Sequence, residues 1–329
     1  MTTRKSTCVL ASALTLALTG AAQAAPNIEA PMPDFTLQAS LGVLDVADKD
    51  FDPEAFELEL GFKGLIKADG FKMRYVFVAD IADAVNSRDT GGAEGEDDIH
   101  VKEAKLIFPT AYGAFILAPR TSSGLYRDLY QNIDLFEYNE THNGKVAVTG
   151  SPLFGQAAEA QDVLAYKSPT WNNLYAVVST VSIDEGNNED LDVKTARLVY
   201  DDKTFRFGIS RILAEGNLAN KDKDYTRTAF TAGYNIGGLH LGTTYEINED
   251  TFNGNDFDTY GVAARYAFGA GLSTSVAYFD KDADIDIADD SGVLLQLKKQ
   301  VHPNVSIWAE TGQFDTHADN IALGVNLKF

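Results

Sequence analysis

Cations and apolar residues alternate along Phe71-Lys72-Met73-Arg74-Tyr75-Val76-Phe77. That spacing sends Lys72 and Arg74 to one side of a strand and Phe71, Met73, Tyr75 and Phe77 to the other. The same phase places Lys63, Lys105, Arg197, Arg206, Arg227, Arg265 and Lys298 on the polar faces of other segments, together with Glu57, Glu59, Glu103, Glu246 and Glu310. Fixed charges in such rows attract, repel and orient ions and dipoles; they do not make bonds. The groups that would make bonds are poorly placed. No serine lies in a Gly-x-Ser-x-Gly setting, and the five histidines (His100, His142, His240, His302, His317) are scattered. The sequence has no Cys/His metal cluster and no glycine-rich phosphate loop. Asp280, Asp282, Asp284 and Asp286 alternate like a calcium loop, but Ile285 stands where the turn glycine belongs and Ser291 replaces the closing glutamate. The segment reads as a solvated acidic loop, and neither a metal nor a cofactor is expected.

The elements that must carry these charges are strands. Sixteen segments with a two-residue period can be counted, among them 35–43, 56–63, 71–78, 101–108, 114–118 and 161–166. In 56–63 the pattern puts Phe56, Leu58, Leu60 and Phe62 on the apolar face. The last segment, Asn320 to Phe329, sets Ile321, Leu323, Val325, Leu327 and Phe329 against Asn320, Ala322, Gly324, Asn326 and Lys328. Connections alternate long and short: 79–100 then 109–113, 183–192 then 201–204, 247–258 then 269–271. A large soluble all-β protein also has alternating strands, but the loop asymmetry and terminal aromatic point to an all-β, 16-stranded antiparallel transmembrane β-barrel. Its first and last strands would pair to remove the open edge. Phe71, Phe108, Tyr200, Phe205, Tyr245, Tyr266 and Phe268 stand at strand ends, where interfacial aromatic girdles form.

The N-terminus agrees with export. Arg4 and Lys5 precede an apolar stretch, Thr7 to Leu18, and Ala22-Gln23-Ala24 has the small-x-small form of a cleavage site. Residues 1–24 read as a signal peptide and 25–329 as one barrel domain. The one cysteine, Cys8, falls inside the leader. The formal net charge is −21, and loss of a leader that holds Arg4 and Lys5 but no acid takes it to −23. Nucleic acid is excluded as a partner on that ground.

Several stretches resemble the trimeric general diffusion porins of Gram-negative outer membranes. Leu58-Glu59-Leu60-Gly61-Phe62-Lys63-Gly64 followed by Gly70-Phe71-Lys72 resembles their second hairpin. Leu125-Tyr126-Arg127-Asp128 and Ile133-Asp134-Leu135-Phe136 resemble the inward-folded third loop, Asp162 to Pro169 the sixth strand, and Gln296 to Lys299, Ile307 to Glu310 and Leu323 to Phe329 the last two strands. Departures fall at Pro119-Arg120, Leu135 and Glu159, where the family has glycine-arginine, proline and arginine. The resemblance implies a homotrimer in outer-membrane lipid and lipopolysaccharide, passing ions and small hydrophilic solutes. It implies that the long connection 119–160 folds into the lumen and brings Asp128, Asp134, Glu137 and Glu140, with Arg120 and Arg127 near its start. Lys72, Arg74 and Arg120 would then face Asp128, Asp134 and Glu137 across a constriction, over a pore wall of Lys63, Lys105, Arg197, Arg206, Arg227 and Arg265. The sign of ion preference stays open. Two other readings remain: a substrate-specific channel for a sugar or an anion, the sugar guided by Tyr126, Tyr130, Phe136 and Tyr138, and a barrel hydrolase, for which only the inward His240 lies mid-strand.

Overall fold

A computed structural model describes residues 28–47, 51–86, 99–121, 127–139, 153–155, 159–182, 192–216, 223–252, 254–284 and 289–329. The chain forms sixteen antiparallel strands closed into one barrel. They are β1 (Asp34–Val46), β2 (Asp52–Ala68), β3 (Phe71–Asp80), β4 (His100–Thr110), β5 (Gly113–Thr121), β6 (Ala160–Lys167), β7 (Leu174–Val181) and β8 (Val193–Asp201). The second half comprises β9 (Phe205–Ala214), β10 (Tyr225–Ile236), β11 (Leu239–Glu249), β12 (Phe257–Gly269), β13 (Leu272–Ala283), β14 (Asp290–His302), β15 (Val305–Phe314) and β16 (Asn320–Lys328). Among the described residues two short helices sit in long connections, α1 (Ala82–Asn86) and α2 (Arg127–Tyr130). The barrel closes between β1 and β16, in register from Gln38↔Lys328 to Val46↔Asn320. Closure pairs the backbone of every strand, which a hydrocarbon surround requires.

Side-chain alternation then sorts the two surfaces. Leu60, Phe62, Leu106, Leu117, Leu164, Leu198, Phe207, Val262, Leu295 and Leu323 point outward and stay exposed on the isolated barrel. At the edges of this apolar band the outward residues turn aromatic and then acidic. The Tyr245 hydroxyl donates to Asp258 at 2.5 Å and the Tyr278 hydroxyl to Asp280 at 2.8 Å on the long-loop side. On the other rim Phe71 touches Phe108, and Phe205 stacks on Tyr234 with centroids 4.8 Å apart. These are the girdles that the strand-end aromatics foreshadowed.

The ladders run further than the apolar pattern does. β1 and β2 continue past the apolar segments 35–43 and 56–63, with Leu44 pairing with Asp52 and Val43 with Pro53. Ladder bonds are indifferent to side-chain polarity, so strands continue beyond the apolar band. The alternation itself breaks at irregularities. β2 gains a residue where Ser40↔Glu57 gives way to Leu41↔Ala55, and Phe56 turns inward instead of outward. Its ring packs 5.3 Å from Tyr138 and 5.4 Å from Trp308. A second shift, between Val78↔Glu103 and Ala79↔Val101, turns Lys102 inward beside Glu103. An extra residue places neighbouring side chains on one face, which strict alternation forbids.

Candidate functional site

The segments of the third long connection described here, 127–139 and 153–155, lie inside the barrel against the wall formed by β9 to β16. Leu129, Tyr130, Ile133, Leu135, Phe136, Leu153 and Phe154 are buried on Ala229, Ala263, Ala277, Phe279 and Leu294 of that wall. Small residues there admit the loop backbone. A Cβ on Gly242 would stand 1.8 Å from the Asn132 carbonyl oxygen, and one on Gly233 would stand 2.3 Å from Asn132 Oδ1. His240 Nε2 lies 2.8 Å from that same carbonyl, and Asn132 Nδ2 donates to Thr231 at 2.8 Å. Buried against the loop, the His240 ring locks it through the Asn132 carbonyl.

Two buried carboxylates fasten the loop at its ends. Glu310 accepts the backbone N–H of Glu137, of Tyr138 at 3.0 Å and of Asn139 at 3.1 Å, and the Gln296 amide at 2.7 Å. Glu246 is fully buried; it accepts the Tyr130 hydroxyl, the Gly155 N–H at 2.5 Å and the Asn248 amide at 2.8 Å. The Arg227 guanidinium lies 3.8 Å from Glu246 and donates to the Gly155 carbonyl. Converging donors stabilise a buried carboxylate that would otherwise be costly. Asn139 and Asn320 exchange amide hydrogen bonds of 3.1 and 3.0 Å. Burial, and the Glu54 and Glu310 carboxylates near it, push the Tyr138 phenol up to about 12.

With the loop held on that side, the charges of β2 to β6 line the facing wall. Lys102 reaches Glu59, Glu57 at 3.3 Å and Asp80 at 3.6 Å. Lys105 pairs with Glu103 at 2.8 Å. Arg120 binds Glu159 through two nitrogens, at 2.9 and 2.6 Å, and His100 Nε2 touches the other carboxylate oxygen at 2.5 Å. Lys63, Arg74 and Lys72 continue the same wall toward the short turns, with Lys63 opposite Val76, Arg74 opposite Leu65 and Lys72 opposite Lys67 beside the Asp69–Gly70 turn.

The structure thus distributes the sequence-derived candidates in three groups. Glu137 and Asp134 sit in the docked loop; Glu137 is engaged by Lys298 and by the Asn326 amide at 2.5 Å. Asp128 lies in α2, while Glu140 and Tyr126 fall outside the described residues. Arg120, Lys105 and Lys63 lie on the facing wall, and Lys72 and Arg74 near its short-turn rim. Among the remaining wall residues, Arg206 pairs with Asp201 at 2.9 Å near the same rim, Arg197 is buried between Val177 and Ser210, and Arg227 serves the loop anchor. Arg265 borders a recess of about 360 Å³ beneath the loop with Leu135, Glu137, Gln296 and Lys298. The aromatic run is used for packing: Tyr130 and Phe136 are buried in the loop core and Tyr138 rests on Phe56. Lys102 and the loop-anchoring role of Glu310 escaped the sequence reading. A lysine next to an inward glutamate in one strand is a signal for a bulge, and was available.

The chain matches the Gram-negative porin family over residues 10–319. No curated protein matches it by sequence. Among solved structures it is similar to an anion-selective porin from Comamonas acidovorans, at TM-score 0.70 and 14% identity over 92% of this chain and 100% of that one. It is likewise similar to OmpF of Salmonella typhi, at TM-score 0.72 and 14% identity with 92% and 100% covered. The trimer form of OmpT, an outer membrane protein of Vibrio cholerae, gives TM-score 0.65 and 15% identity with 92% and 100% covered. The closed sixteen-stranded wall and the family match together identify the chain as a member of the Gram-negative porin family, an outer-membrane channel for passive diffusion.

Proposed function

We propose that this porin is a general diffusion pore without enzymatic activity, working as a homotrimer after loss of residues 1–24, and that its narrowest part lies between the docked third loop and the β2–β6 wall. The observation that carries the reading is the way the loop is held. Glu310 and Glu246 fix it to β9–β16, which leaves a passage bounded on the far side by ionised wall residues. A passage lined by charges that are already paired, as at Lys102, Lys105 and Arg120, orients solutes without holding them. Asp134 and Glu137 on the loop, with Arg120, Lys72 and Arg74 along the wall, set the ion preference in this reading. Lipopolysaccharide would surround the acidic outer rim, bridged by divalent ions. The trimer form of the Vibrio cholerae protein supports the assembly.

The substrate-specific alternative rests on the aromatic run, and the burial of Tyr130 and Phe136 removes two of its four members from contact with solute. Liposome swelling with neutral sugars of increasing size separates the two. A general pore admits them at rates that fall smoothly with size and do not saturate; saturable entry of one sugar would replace this reading with the specific channel.

A further inference from the structure

We propose that the lumen is charged asymmetrically along its axis, and that the pore therefore rectifies ion current. This rests on the open-channel reading above. The β2–β4 wall shows the gradient within a single ladder. Toward the long loops, three carboxylates, Glu57, Glu59 and Asp80, surround the one ammonium of Lys102. At the middle Lys105 and Glu103 balance. Toward the short turns come Lys63, Arg74 and Lys72, which carry no ion-pair partner among the described residues. The opposite wall repeats the lower tier: Arg265 lies close to the Gly269–Gly271 turn, again with no ion-pair partner among the described residues, and Lys298 is below the loop. The long-loop rim carries further carboxylates at Asp284, Asp315 and Asp319, with Asp258, Asp280 and Asp282 on the outward face of the same rim.

Such a pore has a cation-rich zone at the long-loop end and an anion-rich zone at the short-turn end. A voltage positive on the long-loop side drives cations out of the first zone and anions out of the second, so both accumulate where the zones meet and conductance rises. The opposite voltage empties that junction. The effect depends on wall charges reaching across the pore, and so on a screening length of about 10 Å in ~0.1 M salt, which shrinks to about 3 Å at 1 M.

The test is single-channel recording at equal and opposite voltages, with orientation reported by Asp284→Cys, biotinylated and capped by streptavidin added from one side. In ~0.1 M KCl the current should be about twofold larger with the long-loop side positive, and the ratio should approach one at ~1 M. Lys72→Gln, Arg74→Gln and Arg265→Gln combined should bring the ratio close to one at low salt, with folding checked by heat-modifiable migration. The salt series on the unmodified chain stands independently of that variant. Equal currents at low salt, a reversed ratio, or a ratio that survives loss of the three cations in a folded pore would overturn the proposal. An absence of current steps would instead overturn the channel reading on which it rests.

Discussion

Replacing Glu310 by alanine should undock the third loop without unfolding the barrel. The carboxylate is almost fully buried and gathers the backbone N–H groups of Glu137, Tyr138 and Asn139 together with the Gln296 amide. Hydrogen bonds to a charged group contribute roughly 1.5–3 kcal/mol each. Simple addition overshoots here, because the bonds share one acceptor and water from the lumen would satisfy the released donors. Asn139 also keeps its exchange with Asn320, and Glu137 keeps Lys298. A net loss of about 3 kcal/mol is the reasonable order, and at 1.4 kcal/mol per decade it raises the undocked population roughly 150-fold. The ladder through residue 310 uses backbone atoms, pairing Gln296↔Glu310 and Glu310↔Ala322, and is untouched. Hydrogen exchange followed by mass spectrometry reads this directly: amides 137–139 should exchange about two orders of magnitude faster in Glu310→Ala while those of β14 to β16 keep their protection. Glu310→Gln, which retains one acceptor but turns an NH₂ toward the donors, should fall between. Unchanged exchange at 137–139 would refute the claim that this carboxylate holds the loop.

Gly242→Ala attacks the same docking from the other side. The new methyl would stand 1.8 Å from the Asn132 carbonyl, so the loop must shift at a cost of about 1–3 kcal/mol, with increased current noise as the readout. Neutralising Lys72 and Arg74 together should move the zero-current potential in a salt gradient toward cations, and Asp134→Asn with Asp128→Asn should move it toward anions. Both shifts should shrink as salt rises from ~0.1 to ~1 M. In the β8–β9 turn, the N–H of Phe205 at 2.7 Å, the Tyr200 hydroxyl and the N–H of Thr204, each at 2.9 Å, hold the Asp202 carboxyl below its ordinary range. A depressed folded-state pKa means that its stabilising contribution is present in full above about pH 4, the unfolded value, and is lost as pH falls through the folded value. The difference in thermal stability between the unmodified chain and Asp202→Asn should therefore be constant from pH 7 to 5 and narrow below pH 4.

How much of this was legible in the sequence depends on the range of each interaction. Period-two alternation placed Lys63, Lys72, Arg74 and Lys105 on the lumen face because each follows directly from its neighbours in one strand. Barrel closure between residues 38–46 and 320–328 was legible too, since an edge must be paired. Phe56 and Lys102 were misassigned or missed because a single inserted residue reverses the phase, and the alternation rule carries no term for it. The loop anchors lay beyond local reading altogether. Glu310 meets Tyr138 across a sequence separation of 172, and Tyr130 meets Glu246 across 116, so nothing near either carboxylate announces its partner. Glycines 233 and 242 looked like ordinary strand residues until Asn132 was seen lying on them.

An open, water-filled passage is what makes this barrel a diffusion pore, and the dependence of single-channel conductance on salt measures it directly. Purified protein in planar bilayers should give discrete steps whose size rises nearly in proportion to KCl from ~0.1 to ~1 M, because ions cross a wide pore without shedding their water. Conductance that saturates within that range, or the absence of steps from a folded barrel, would contradict it.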